Sequence, residues 1–336
     1  MKTGVALQPV YPSALFGDMV ERIERLGFDE LWLTDSSLHS RYSPMYLALA
    51  AVRSERMTLG NAVTNPVTRH PALGAVAAAT LDEISGGRAI YGIGAGDRPL
   101  LALGLKPARL ALLEDAIAAA RELWTGDTVT REYRGFSLDD AHMRFDVPTR
   151  IPVYISASGP KTLELAGRIA DGVILLAGLH PDGLRYALEH IDRGAAQAGR
   201  EQRPKISVFG YGAVDDDRDR AMAAARTIAA WFPQTAPMYC ELAGLDPALI
   251  EKVRGMYQGG EFQEAAKAAE LLPDDFVHRM SLSGDRATVT AHIANIEALG
   301  IDSFTVFPLG GDADYRMTTI ERFASCFADA QPAPTR

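Results

Sequence analysis

The chain has 336 residues, 47% of them apolar and 23% charged, the balance of a soluble globular protein. A net charge of −9 argues against a nucleic-acid partner, since neutralising phosphates needs an excess of Lys and Arg. No apolar run reaches membrane-spanning length, and the start MKTGVALQPV lacks a signal peptide's apolar core and cleavage site, so a cytoplasmic protein with no membrane partner is expected. Cys240 and Cys326 are the only cysteines; they make neither a disulfide framework nor a Cys/His cluster, and no metal is expected.

In chain order, the strand candidates are TGVALQ (3–8), ELWLTD (30–35), MTLGNAV (57–63), RAIYGIGAG (88–96), PVYISA (152–157), GVILLAG (172–178), KISVFGYGAV (205–214) and SFTVFP (303–308). Most are continuous apolar runs, as in strands buried on both faces of a parallel sheet. Helical segments lie between them. SALFGDMVERIERLG (13–27) spaces Leu15, Met19, Ile23 and Leu26 along one face, and PALGAVAAATLDEISGG (71–87) opens on Pro and closes on Gly-Gly. Eight strand–helix repeats argue for an α/β fold, a (β/α)8 TIM barrel of residues 1–330, with an open doubly wound sheet as the rival. Two stretches exceed the repeat: 126–149, turn-rich and β-like, and 233–283, helical material inserted between strands 7 and 8. Residues 331–336 read as a tail.

A barrel carries its site at the C-terminal strand ends. Strand 2 ends in Thr34, Asp35, Ser36 and Ser37, with His39 and Arg41 close behind. Strand 3 ends in Ala62, Val63, Thr64 and Asn65, strand 4 in Gly94, Ala95, Gly96 and Asp97, and strand 5 in Ser156, Ala157, Ser158, Gly159 and Pro160. Each alone reads as loop chemistry; four together on one rim point to a site. Small residues ahead of a helix, with Lys161 beside them, suit a phosphate. The glycines of GIGAGD do not make a dinucleotide fingerprint; they admit a flat ligand close to the backbone. Asp35 and Asp97 could transfer protons, or Asp35 could simply brace a loop. His39 could face a substrate or solvent, and His70, before Pro71, suits a helix cap. No GxSxG elbow is present.

The stretch GNAVTNPVTRHPALGAVAAATLDEISGGRAIYGIGAGD resembles the bacterial luciferase-like superfamily, most closely its branch of coenzyme F420-dependent methylenetetrahydromethanopterin reductases. The resemblance runs on through PVYISASGPKTLELAGRIADGVI and SGDRATVTAHIANIEALGIDSFTV. It implies a (β/α)8 barrel with an insertion after strand 7, often a homodimer, holding F420 or reduced FMN at its mouth. A non-prolyl cis peptide would fall at Ala62-Val63, behind the ring. The cofactor phosphate would lie near Ser156 to Pro160 and near Leu176, Ala177 and Gly178. Asp97 would be the proton donor, and Ser36, Ser37, His39 and Arg41 would line the substrate side. This branch usually carries Asp-His after strand 2, where this chain has Asp35-Ser36. The resemblance implies F420-dependent hydride transfer to a small organic substrate. The alternatives are an FMNH2-dependent monooxygenase served by a separate flavin reductase, and a binding protein that has lost the chemistry.

Overall fold

The computed structural model describes residues 1–147, 150–257 and 262–330. Residues 148–149 and 258–261, inside the two predicted insertions, and the tail 331–336 lie outside them. The barrel strands are β1 (Lys2–Leu7), β2 (Glu30–Leu33), β3 (Thr58–Asn61), β4 (Ala89–Ile93), β5 (Val153–Ser156), β6 (Gly172–Leu175), β7 (Lys205–Val214) and β8 (Ser303–Pro308). All pair in parallel with their neighbours. β7 pairs with β6 (Gly172 opposite Lys205) and with β8 (Ser303 opposite Ser207), and β8 pairs with β1 (Lys2 opposite Ser303), which closes the ring. The eight predicted strands are these eight, in a (β/α)8 TIM barrel. An open sheet is excluded by the β6–β7–β8–β1 pairings.

The outer helices bury one face on the strands. Helix Ser13–Arg25 inserts Phe16, Met19, Val20 and Ile23, the three-to-four-residue spacing that puts side chains on one stripe. Inside the ring, Ala6, Trp32, Ile90, Ile174 and Phe209 form a separate cluster. Trp32 takes the room: a Cβ on Gly60 would stand 2.5 Å from its ring. Below it, Trp32 Nε1 donates to Glu30 Oε2 (3.0 Å). Burial raises the pKa of the Glu30 carboxyl, because an uncompensated charge is costly inside the barrel.

Between β4 and β5 a hairpin, Val129–Tyr133 with Phe136–Ala141, runs antiparallel. Between β7 and β8 lie helices Arg218–Ala229, Phe232–Thr235, Pro237–Leu242, Pro247–Met256, Phe262–Ala269 and Asp274–Met280. The sequence reads this stretch as helical throughout; it ends instead in a short strand, Leu282–Gly284, which pairs with Gly212–Val214 at the far end of β7. β7 is long enough to serve both neighbours. Asp82 is buried near the end of helix Pro71–Ser85, and its Oδ1 accepts from the Ala89 N–H at the start of β4 (3.3 Å).

Candidate active site

The C-terminal strand ends surround a cavity of about 350 Å³, within the usual size for a small-molecule site. Its floor begins at the corner after β3, where the Ala62–Val63 peptide bond is cis. The Ala62 N–H donates to the Leu33 carbonyl (2.8 Å) and the Thr64 N–H to the Gly92 carbonyl (3.0 Å). The Gly94 N–H returns to the Thr64 carbonyl (2.9 Å). The corner therefore stays tied to both neighbouring strands.

The polar residues of TNPVTRHP each have a partner. Asn65 Oδ1 accepts from the N–H groups of Val67 (3.0 Å) and Thr68 (2.9 Å), which turns the chain. His70 Nδ1 accepts from the Ala72 N–H (3.2 Å) and so caps helix Pro71–Ser85. Thr64 Oγ1 donates to Asp35 Oδ2 (2.7 Å). Arg69 Nη2 donates to Thr64 Oγ1 (2.8 Å) and also to Asp35 Oδ2, forming an ion pair. The Arg69 guanidinium lies over the Tyr42 ring, 5.0 Å from its centre. Burial pushes the Arg69 pKa down, from so high a starting value that the group stays charged.

The remaining floor is built of small residues. A Cβ on Gly94 would stand 2.9 Å from Val63 Cγ2 and 3.4 Å from Ser156 Cβ. The glycine thus keeps open a flat cradle between the cis peptide and β5. Ser156, Ala157 and Ser158 follow, and the Ala157 N–H donates to the Ile174 carbonyl (3.1 Å). Helix Pro160–Ile169 then starts from Gly159, with no side-chain cap. The buried Tyr239 hydroxyl, from the insertion, donates to the Ser158 carbonyl (2.8 Å) and braces this loop.

The opposite wall is apolar. Ile174 and Leu176 come from β6 and its end, Phe209 and Tyr211 from β7, Phe307 from β8, and Trp231, Thr235 and Ala236 from the segment beyond β7. Tyr211 stacks on Phe307 (4.9 Å, 22°), and Trp231 meets Tyr211 edge-on (6.4 Å, 76°). At the rim, Asp97 is exposed at the start of helix Arg98–Leu101.

Of the residues singled out in the sequence, Thr34, Asp35, Ser36, His39, Ala62, Val63, Asn65, Gly94, Ala95, Gly96, Asp97, Ser156, Ala157, Ser158 and Leu176 line the cavity. The others lie away from its wall. Arg41 donates to the Val10 carbonyl, and Ser37 sits behind Ser36 on the same loop. The hydroxyl of Thr64 turns back to Asp35 and Arg69, so the residue supports the wall rather than forming it. Gly159 and Pro160 begin a helix below the rim, and Gly178 packs against Met280 with Ala177 buried beside it. Sequence reasoning missed Gln8, Arg69 and the whole aromatic wall. The alternation of Phe209 and Tyr211 on β7, which points both inward, was the available signal for that wall.

A flat, small-residue cradle facing an aromatic wall at a barrel mouth is suited to a planar cofactor. The sequence matches the luciferase-like monooxygenase family over residues 7–303, and the chain belongs to that family. It is 34% identical over 324 residues to the 5,10-methylenetetrahydromethanopterin reductase of Archaeoglobus fulgidus, covering 93% of this chain and 95% of the relative. It is 32% identical over 308 residues to the same enzyme of Methanolobus tindarius, covering 90% and 92%. The structure of the coenzyme F420-dependent tetrahydromethanopterin reductase of Methanopyrus kandleri superposes with a TM-score of 0.83 at 29% identity, covering 96% of this chain and 97% of the other.

Proposed function

We propose that the protein is an oxidoreductase that uses reduced coenzyme F420 for hydride transfer to a small organic substrate. The observation that carries this reading is the cradle of Ala62, Val63, Gly94 and Ser156, which a single added Cβ at Gly94 would fill. Its shape fits a planar tricyclic ring, and the similar Methanopyrus kandleri reductase, whose structure matches over 96% of this chain, is coenzyme F420-dependent. Ser156 and Ser158, at the start of an uncapped helix, fit the phosphate of the cofactor's side chain.

When bound, reduced F420 supplies a hydride equivalent at its ring. The chain's own residues do the rest. The small-residue floor sets the plane of the ring. Tyr211, Phe307 and Trp231 form the facing wall, which holds the acceptor flat and keeps water out. Asp97 exchanges the accompanying proton with the substrate at the rim. Titrating the protein with F420 and with FMN, each followed by its own absorbance, tests the reading. F420 binding and oxidation of the reduced form on adding an acceptor are expected. Tight FMN binding without F420 binding would replace it with an FMNH2-dependent monooxygenase supplied by a separate reductase.

The reading includes a homodimer. Helix Ser43–Val52 (SPMYLALAAV) carries no charge. Its buried face holds Tyr46, Leu47 and Ala50, yet Met45 (69% exposed), Ala48, Leu49 and Val52 (67%) make a second, outward stripe. The adjoining helix Pro71–Ser85 does the same with Leu73 (58%), Val76, Ala77 and Ile84 (43%). Helices apolar on both faces need cover, and a second copy meeting this surface across a two-fold axis would supply it. A solution mass of one chain would remove the homodimer from the reading.

A further inference from the structure

A second cavity, of about 310 Å³, lies between the start of helix Pro181–Gln197 and helices Asp274–Met280 and Arg286–Glu297. It shares no lining residue with the cavity at the strand ends. Leu179, Pro181, Ile296 and Leu299 give it apolar walls. The rings of His278 and His292 line it together, with centres 5.2 Å apart. The Nδ1 atom of each is buried and has no hydrogen-bond partner. An unpaired buried nitrogen is costly, so two in one cavity mark a place where a ligand atom fits. The neighbouring polar groups are already engaged. Arg279 donates to the Ala243 carbonyl (2.7 Å) and to Asp275 Oδ2 (2.7 Å), and His180 Nδ1 accepts from the Asp182 N–H (3.4 Å).

The state of His292 decides the chemistry of that ligand atom. Its ring makes a hydrogen bond with the Leu179 backbone. The Leu179 N–H is spent on the Arg279 carbonyl (3.0 Å), so the ring donates to the Leu179 carbonyl. Because Nδ1 has no partner, the donor is Nε2. Burial keeps this ring neutral, which leaves Nδ1 a lone pair that only accepts. That excludes an anion as its partner. A metal ion is a poor fit as well: among the described residues no group of three or more His, Cys, Asp or Glu side chains could hold one. His278 can take the tautomer with its proton on Nδ1. One nitrogen then accepts and the other donates, which is the complement of a hydroxyl group.

We propose that the second cavity is a binding site for a small molecule with a hydroxyl on an apolar ring, a phenol or a cyclic alcohol. The hydroxyl donates to His292 Nδ1 and accepts from His278 Nδ1, and the ring lies against Leu179, Pro181, Ile296 and Leu299. The site does not depend on which cofactor the first cavity holds.

The test is a ligand-observed NMR titration of the full chain with phenol, cyclohexanol and anisole. Phenol is expected to bind saturably, with a Kd of about 1 mM or below. Anisole keeps the ring and the oxygen but cannot donate, so it should bind at least about ten-fold more weakly. His292→Phe keeps a flat ring and removes the acceptor, and His278→Phe removes the donor; each should weaken phenol about ten-fold or more. Trp231→Leu, in the first cavity, should leave phenol affinity within about two-fold. If melting curves show that a histidine variant has not folded, Ala291→Phe, at an exposed lining position, occludes the cavity with both histidines in place and should abolish binding. Cyclohexanol affinity within about three-fold of phenol's would widen the site to apolar alcohols in general, and weaker binding would confine it to phenols. The absence of saturable phenol binding up to about 10 mM would overturn the site. Equal affinities for phenol and anisole would overturn the hydroxyl assignment. Phenol binding lost in Trp231→Leu and kept in His292→Phe would place the ring in the first cavity and overturn the proposal.

Discussion

The two walls of the cavity solve different problems. The wall from the ends of β2 to β5 is made of backbone, small side chains and residues bonded to one another, and little in it can move. Asn65 turns the corner, His70 caps the next helix, and Thr64, Arg69 and Asp35 lock together. The wall from β6 to β8 is made largely of aromatic and aliphatic side chains packed against one another, as in the Tyr211–Phe307 stack. A hydrogen-bonded wall specifies one ligand shape closely, whereas aromatic contacts tolerate several. The first therefore suits an invariant cofactor and the second a variable substrate. The neighbouring insertion, which contributes Thr235 and Ala236, lies on the variable side.

The division can be broken first at Asp97, which belongs to the polar side by chain position but faces the substrate in this scheme. Asp97→Asn should lower turnover by at least about a hundred-fold while F420 affinity stays within about three-fold. Rapid-mixing turnover and an equilibrium titration measure the two separately, and equal losses in both would make Asp97 a cofactor residue. Next comes Gly94. Replacing it with Val fills the cradle against Val63 and Ser156, so F420 affinity should fall about ten-fold or more. Melting temperature should fall by only a few degrees, because the Cβ, 2.9 Å from Val63 Cγ2, needs a local adjustment at the mouth of the barrel and not in its core. A variant that binds F420 normally would show that the ring lies elsewhere.

The same contrast explains what was legible in the chain. The rigid wall shows in the sequence because its work is done by residues that are unusual in their places: Thr64 and Asn65 just ahead of Pro66, glycines at a strand end, serines before a helix. Each is out of keeping with a plain strand or turn, although the Thr64 hydroxyl turns back to Asp35 and Arg69 instead of lining the cavity. The strands themselves were readable because both faces are buried, giving continuous apolar runs. The aromatic wall left a weaker trace: alternation on β7 turns Phe209 and Tyr211 to the same side, but in a continuous apolar run those rings and Phe307 look like ordinary strand residues. Nothing local tells an inward ring that fills the barrel, like Trp32, from one at its mouth. Arg69 was hidden differently. It lies well along the chain from Asp35, and only closure of β2 onto β3 brings the two together.

The apolar wall offers a smaller test. Trp231→Leu removes an edge-on contact with Tyr211, a change worth about two- to ten-fold in the KM of the acceptor. F420 affinity should be nearly unaffected, since the ring rests on the other wall. A larger effect on F420 than on the acceptor would reverse the assignment of the two walls.

The smallest effect expected lies behind the apolar wall. There Leu179 and His180 pass into a second cavity of about 310 Å³, lined also by His278 and His292. The two rings of His278 and His292 stand 5.2 Å apart. Burial, with the His278 ring as a lesser cause, lowers the pKa of His292 from 6.5 to about 4. The unfolded chain takes up a proton at this residue below about pH 6.5 that the folded chain refuses until about pH 4. Stability conferred by the neutral ring is therefore present above that window and is lost as the pH falls through it. The nearby His180 works in the same direction, and a hydrogen bond with the Leu179 backbone opposes them more weakly than burial acts. His292→Phe should keep turnover unchanged and lose about 2–5 °C less in melting temperature than wild type between pH 7 and pH 4.5. Matching melting curves across that range would show that His292 is not what makes this side of the barrel acid-sensitive. A loss of turnover would show that the second cavity communicates with the first through Leu176 to His180, and the separation between the two sides would fail at that loop.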